Sequence, residues 1–255
     1  MPGDPVVLVG DRGGRIRSFV SALSRFPAEP AWTVIGGFAV NVRITHVHRL
    51  TNDIDTVSRD QAKFVELLVA APNADRLEAS RLQIEHGGTT VLVDVMADTA
   101  GIPLPAEAGE RAFALARRMA IATSEPTDLV VVEGGEFVAK TTVPIATSSS
   151  LIALKAVAIA RRPQGGTPEK IGSDIHDLVR LVHSCDFDLD TKSIAGGGSE
   201  LSRWVKATLM KHFSPDRDLR YTFARLRRLA RSIDAEALTE EDLAVVADFG
   251  RALPS

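Results

Sequence analysis

The sequence predicts an α/β protein of two lobes, an α/β lobe covering residues 1–145 and a helical lobe over 146–255. Three observations carry this. Short apolar runs alternate with segments of helical spacing through the first half. The run "TTVLVDVMA" puts Val91, Val93 and Val95 on one face and Leu92, Asp94 and Met96 on the other, the period of a strand. After Pro144 such runs give way to serine-capped helical patterns.

In chain order, "PVVLVG" reads as the first strand, and Ile16, Phe19, Val20 and Leu23 mark a helix over 16–26. "AWTVIGG" reads as a second strand ending in glycines, followed by one or two helical turns in "FAVNVRI". "DIDTVS" is a strand, and "RDQAKFVELLVAA" a helix that stops at Pro72. After "TTVLVDVMA", "DLVVVEGGEFV" reads as a hairpin turning at Gly134 and Gly135. "SSSLIALKAVAIARR" is a capped helix running to Pro163, with the loop "RPQGGTP" beyond it. "SDIHDLVRLVHS" is another, with Ile175, Leu178, Val179 and Val182 on one face. "DFDLDTKSIAGGGS" reads as a linker, and three last helical patterns centre near Val205, Arg225 and Val245. There is no internal repeat.

Composition narrows the class. The 255 residues are 45% hydrophobic and 25% charged, ordinary for a globular protein with a real core. A net charge of −3 excludes a polycation built to coat nucleic acid. The charge is uneven, however: residues 200–231 hold nine Lys/Arg against three Asp/Glu, and residues 232–255 hold six acids against one Arg. No apolar run approaches the ~18 residues of a membrane span, and the longest, "LIALKAVAIA", carries Lys155, so no membrane partner is expected. "MPGDPVV" lacks the features of a secretory signal, and the single Cys185 rules out an internal disulfide. Both fit a cytoplasmic protein.

The chemistry concentrates at "RLTNDID", Arg49 to Asp55. In a strand, Asp53 and Asp55 share a face, where their repulsion calls for a cation. Paired carboxylates suit hard divalent ions, and Asp94 interrupts an apolar run as a third candidate ligand. Each residue has an ordinary alternative: a solvated turn for the pair, an arginine partner for Asp94, a tight turn for Gly36 and Gly37. A glycine pair opening a helix also exposes amides that bind phosphate. Together the parts suit one ligand, a triphosphate with magnesium.

"GG", eleven residues, then "RLTNDID" resembles the glycine-pair…R-x-T-x-D-x-D motif of polymerase-β-like nucleotidyltransferases. "LIALKAVAIARR" followed by "SDIHDLVRL" is similar to later motifs of the abortive-infection branch, the AbiEii/MenT-like nucleotidyltransferase toxins. The resemblance covers roughly residues 33–182. It departs at "EKIGSD", where Ile171, Gly172 and Ser173 separate Lys170 from Asp174, and at Gly37, often serine in the family.

The resemblance implies a nucleotidyltransferase lobe with a mixed β-sheet flanked by helices, and a helical lobe contributing Lys155 and Asp177 to the cleft. It implies that Asp53, Asp55 and Asp94 hold Mg2+, two ions with Mn2+ an alternative, and that these aspartates, Lys155 and Asp177 are catalytic. Gly36, Gly37, Arg49, Thr51, Lys155 and Arg162 would bind the nucleotide; Arg161 is an alternative phosphate contact. By itself Asp177 lies off the apolar stripe of its helix, a solvated position. The implied activity moves a nucleoside monophosphate from an NTP to an acceptor hydroxyl, releasing pyrophosphate. The acceptor would be RNA, the tRNA 3′ end, with translation and growth inhibited and a cognate antitoxin as partner. Two other readings stand beside it: a small-molecule, aminoglycoside-type nucleotidyltransferase, and a non-catalytic nucleotide- or antitoxin-binding protein.

Weaker signals carry no chemistry. "GDRGGR" lacks the Lys-Ser/Thr of a P-loop, and His46 and His48 alone make a poor zinc set. Asp186, Asp188 and Asp190 lack the glycine and distal glutamate of a calcium loop, and Cys185 has no nearby base. Arg217, Arg220, Arg225, Arg227, Arg228 and Arg231 could track an RNA backbone or pair with the acidic last helix, whose start "TEED" resembles a capping box.

Overall fold

Alternating apolar and polar side chains build one sheet. Its strands are β1 (Val6–Val9), β2 (Trp32–Ile35), β3 (Asp53–Ser58), β4 (Ala74–Glu78), β5 (Arg81–His86), β6 (Thr89–Ala97), β7 (Glu125–Glu133) and β8 (Glu136–Ile145). They lie in the order β1-β7-β8-β2-β3-β6-β5-β4. The β1/β7, β2/β8 and β3/β6 pairs are parallel and the others antiparallel, so the sheet is mixed, as expected. The structure is a computed structural model and describes residues 5–11, 13–45, 51–161, 168–214 and 238–254.

The described helices are α1 (Arg15–Leu23), α2 (Gly36–Arg43), α3 (Gln61–Val69), α4 (Ala108–Ala122), α5 (Ser148–Arg161), α6 (Pro168–Ser184), α7 (Phe187–Gly196), α8 (Ser199–Phe213) and α9 (Glu240–Ala252). None is long and apolar enough to cross a membrane. Two compact units emerge, Met1–Ile102 with Ala120–Thr147, and Pro103–Met119 with Ser148–Ser255.

In the first unit the core is made by Ile54 on β3, Leu82 and Ile84 on β5, and Val91, Val93 and Val95 on β6, all buried. Phe19 of α1 and Phe38 of α2 meet edge to face at 5.5 Å. Phe26, Trp32 and Phe64 form a second aromatic cluster, and the Trp32 indole donates to the Pro27 carbonyl at 2.7 Å. Burial of Phe19, Phe38 and Phe64 stabilises the fold by about 1.5–3 kcal/mol for each ring. Gly134 and Gly135 have φ of 59° and 89°, the left-handed pair that a tight β7–β8 hairpin requires.

In the second unit, ion pairs link Arg111 of α4 to Glu200 of α8, and Arg161 of α5 to Glu110 of α4. These contacts explain why Pro103–Met119 groups with the later helices despite its place between strands in sequence. Helix α9 starts at a capping box. Thr239 Oγ1 accepts from Asp242 N at 3.1 Å, and Asp242 Oδ2 accepts from Thr239 N at 2.8 Å.

Several elements differ from expectation. Gly36 and Gly37 belong to the first turn of α2 rather than to the end of β2. Helix α6 starts at Pro168, because a proline fits a first helical turn. The expected linker is helix α7: the Asp186 side chain accepts from Leu189 N, and Asp188 and Asp190 sit in the first turn, where acids suit the helix dipole. Strands β4 and β5 and helix α4 carry weak signals; β4 is an exposed polar edge. The pattern near Arg225 lies outside the described residues.

Candidate functional site

Strand register gathers the acidic residues. Ile35 on β2 pairs with Asp55 on β3, Asp55 with Asp94 on β6, and Asp94 with Arg81 on β5. These residues form one row across four strands. Directly paired residues point to the same face, and so do residues two apart, so Asp53 joins Asp55 and Asp94. Ile54 between them is fully buried, which fixes the face on which the carboxylates stand. One ligand atom from each of Asp53, Asp55 and Asp94 lies within 4.8 Å of the others, and all three are half-buried. At that separation two unit charges repel by roughly 3–4 kcal/mol at an effective dielectric of ~20. A cation held between them would offset this.

Two features frame the cluster. Gly36 follows Ile35 at the end of the row with φ of 70°, and a Cβ on it would lie 1.9 Å from Asp55 Oδ2. Only glycine permits that approach. Thr51 is buried, and its hydroxyl donates to Asp53 Oδ1 at 3.0 Å, which steadies the first carboxylate. On the far side, Arg81 Nε lies 3.5 Å from Asp94 Oδ1. The arginine partner considered for Asp94 therefore exists and coexists with the cluster. Gly37 is buried in the first turn of α2. The donor set is entirely hard oxygen, which fits Mg2+ or Mn2+ and not a soft metal.

A second cluster sits within the helical unit. Lys155 Nζ on α5 contacts Asp177 Oδ2 at 2.7 Å and Asp174 Oδ1 at 2.9 Å, both on α6. The side chains are 10%, 0% and 6% exposed in that order, so the ammonium is clamped away from water. Asp177 is thus buried and ion-paired, not solvated as its place off the apolar stripe suggested. Asp174 is the residue that sequence reading passed over. Its i,i+3 spacing to Asp177 puts both on one helix face and is the signal that could have found it.

Other expectations resolve more simply. Arg161 is ion-paired with Glu110, and its guanidinium stacks over the Phe113 ring at 4.7 Å. Burial, with Asp190 and then Asp186 behind it, pushes the Cys185 thiol up to about 12, in keeping with no catalytic role. Arg49, Arg162, His46, His48 and the arginines at 217–231 lie outside the described residues.

A family model described as "Nucleotidyl transferase AbiEii toxin, Type IV TA system" matches residues 18–244. Among curated proteins, none matches the sequence. The solved structure of JHP933 from Helicobacter pylori is similar at 13% identity and a TM-score of 0.47, covering 95% of this chain and 92% of that one. An antigenic nucleotidyltransferase-like protein from Paracoccidioides brasiliensis is similar at 16% identity and a TM-score of 0.38, covering 69% and 84%.

Proposed function

Because the chain belongs to the AbiEii nucleotidyl transferase toxin family of type IV toxin–antitoxin systems, we propose that it transfers a nucleoside monophosphate from an NTP to a hydroxyl of RNA. A nucleotidyltransferase activity, a nucleotide substrate and an antitoxin counterpart come with the family. We take the acceptor to be the tRNA 3′ end and the metal to be Mg2+ or Mn2+. The observation that carries it is the triad of Asp53, Asp55 and Asp94 on one sheet face, with Gly36 pressed against Asp55.

In this reading Asp53, Asp55 and Asp94 would hold the divalent metal. Bound there, a divalent metal would supply charge neutralisation at the phosphates and a lower barrier to deprotonating the attacking hydroxyl. The chain's own residues do the rest. Thr51 keeps the Asp53 carboxylate turned toward the triad. The α2 N-terminus, at Gly36 and Gly37, offers amides and a partial positive charge to the triphosphate. Within the helical unit, Asp177 and Asp174 hold the Lys155 ammonium. The hydroxyl oxygen bonds to the α-phosphorus, the bond to the bridging oxygen breaks, and pyrophosphate leaves. Toxicity follows because a tRNA with an altered 3′ end cannot be charged.

Incubation with each labelled NTP, magnesium and total tRNA tests this, beside an Asp55→Ala control. Label in RNA that disappears in the control is expected. Transfer to an aminoglycoside and not to RNA would overturn the acceptor; no transfer to anything would overturn the activity.

A further inference from the structure

Arg81 belongs to none of the motifs, yet it stands in the same row as the triad. It is the register partner of Asp94 across the antiparallel β5/β6 pair. In the sheet order β3-β6-β5, it approaches Asp94 from the side opposite Asp55. Its contact is a single Nε–Oδ1 approach of 3.5 Å, not the two-pronged fork that arginine makes with a carboxylate in its strongest pairs. Both partners keep access to water, with side chains 36% and 28% exposed. Such a pair is weak and readily exchanged. The Lys155 clamp, buried and held at 2.7 and 2.9 Å, is the opposite case.

A carboxylate shared between an arginine and a cation cannot satisfy both equally. We propose that Arg81 is a positioning residue of the triad: it holds Asp94 while no cation is bound, and yields that carboxylate when an ion enters between Asp94 and Asp55. This rests on the metal reading above. The released guanidinium has a place to go, because Glu78 on β4 is its register partner on the other side. An ion that needs Asp94 therefore competes with Arg81 for that carboxylate.

The test measures Mn2+ binding to the full chain without nucleotide, by the electron paramagnetic resonance signal of free Mn2+ at fixed ionic strength. Arg81→Gln should tighten Mn2+ binding by about two- to fivefold, the scale of an exposed ion pair. Arg81→Lys should return affinity toward wild type, since it keeps a charge that can reach Asp94. On an Asp94→Asn background, Arg81→Gln should change nothing. Matched melting curves establish that the variants fold. Unchanged or weaker binding in Arg81→Gln overturns the proposal, and so does an equal gain on the Asp94→Asn background, which would reveal only bulk charge. Saturable wild-type binding without dependence on Arg81 overturns this inference alone. No saturable Mn2+ binding in any variant overturns the metal reading and this inference with it.

Discussion

Gly36 and Asp55 occupy adjoining space so tightly that no other residue fits at position 36. A Cβ there would fall 1.9 Å from Asp55 Oδ2 and 2.7 Å from its Cβ. The first turn of α2 and the middle carboxylate of the triad are therefore one steric unit. A residue type read in sequence as a phosphate-binding turn is required by its carboxylate neighbour as well.

Gly36→Ala should consequently cost on two counts. The left-handed φ of 70° opposes a side chain by roughly 1 kcal/mol, and the clash adds about 1–3 kcal/mol of overpacking. Urea denaturation should show the sum, and Mn2+ binding should weaken as Asp55 is displaced. Wild-type stability and Mn2+ affinity in the variant would show that the α2 turn and Asp55 are not coupled.

Asp53→Asn should separate stability from function. Without divalent ions the variant should be about 0.5–1 kcal/mol more stable than wild type, because one charge leaves a repulsive cluster. Added Mg2+ should then raise the wild-type melting temperature and leave the variant's unchanged. A variant less stable than wild type in EDTA would contradict the repulsion argument.

Removing Lys155 leaves two buried carboxylates facing each other. Lys155→Met should destabilise by about 3–5 kcal/mol, measurable by urea titration. Adding Asp174→Asn and Asp177→Asn should recover much of the loss. Lost transferase activity in the single variant thus reports on chemistry only where folding is shown to persist. A single variant as stable as wild type would mean that the clamp has little energetic weight.

The capping box of α9 should respond to acid. Burial pushes the Asp242 carboxyl up. Hydrogen bonds from the Thr239 amide and hydroxyl, with His183 and Arg180 nearby, outweigh burial and leave it below the ordinary 3.8. A lowered folded value means the stabilisation is complete above the unfolded pKa and fades as pH falls through the folded one. The gap in melting temperature between wild type and Asp242→Asn should be widest at pH 5 to 7 and shrink as pH falls below about 4. A gap that widens on acidification would reverse the sign of this effect.

What could be read in sequence was what depends on local period and on the cost of charge. Asp53, Asp55 and Asp94 stood out because carboxylates in apolar runs need a reason, and β3 and β6 place all three on one face. The hairpin at Gly134 and the capping box at Thr239 carry their chemistry within four residues. Register is not local. Nothing near Arg81 in sequence says that it faces Asp94, and Asp174 is tied to Lys155 only through its i,i+3 spacing to Asp177. Helix α7 was missed for another reason: its acids, apparently the mark of a solvated linker, are the cap and first turn of the helix itself.

The chain passes from one unit to the other after Ile102, Met119 and Thr147. No single cleavage can therefore part the two units into whole pieces. A fragment ending at Thr147 would keep the excursion Pro103–Met119, with Ala112, Ala116 and Met119 buried in the full chain but stripped of the helices they group with. It would carry a sticky apolar strip into solution. The interleaving makes the protein indivisible for biochemical dissection, and point substitution, not truncation, is the means of assigning work to either unit.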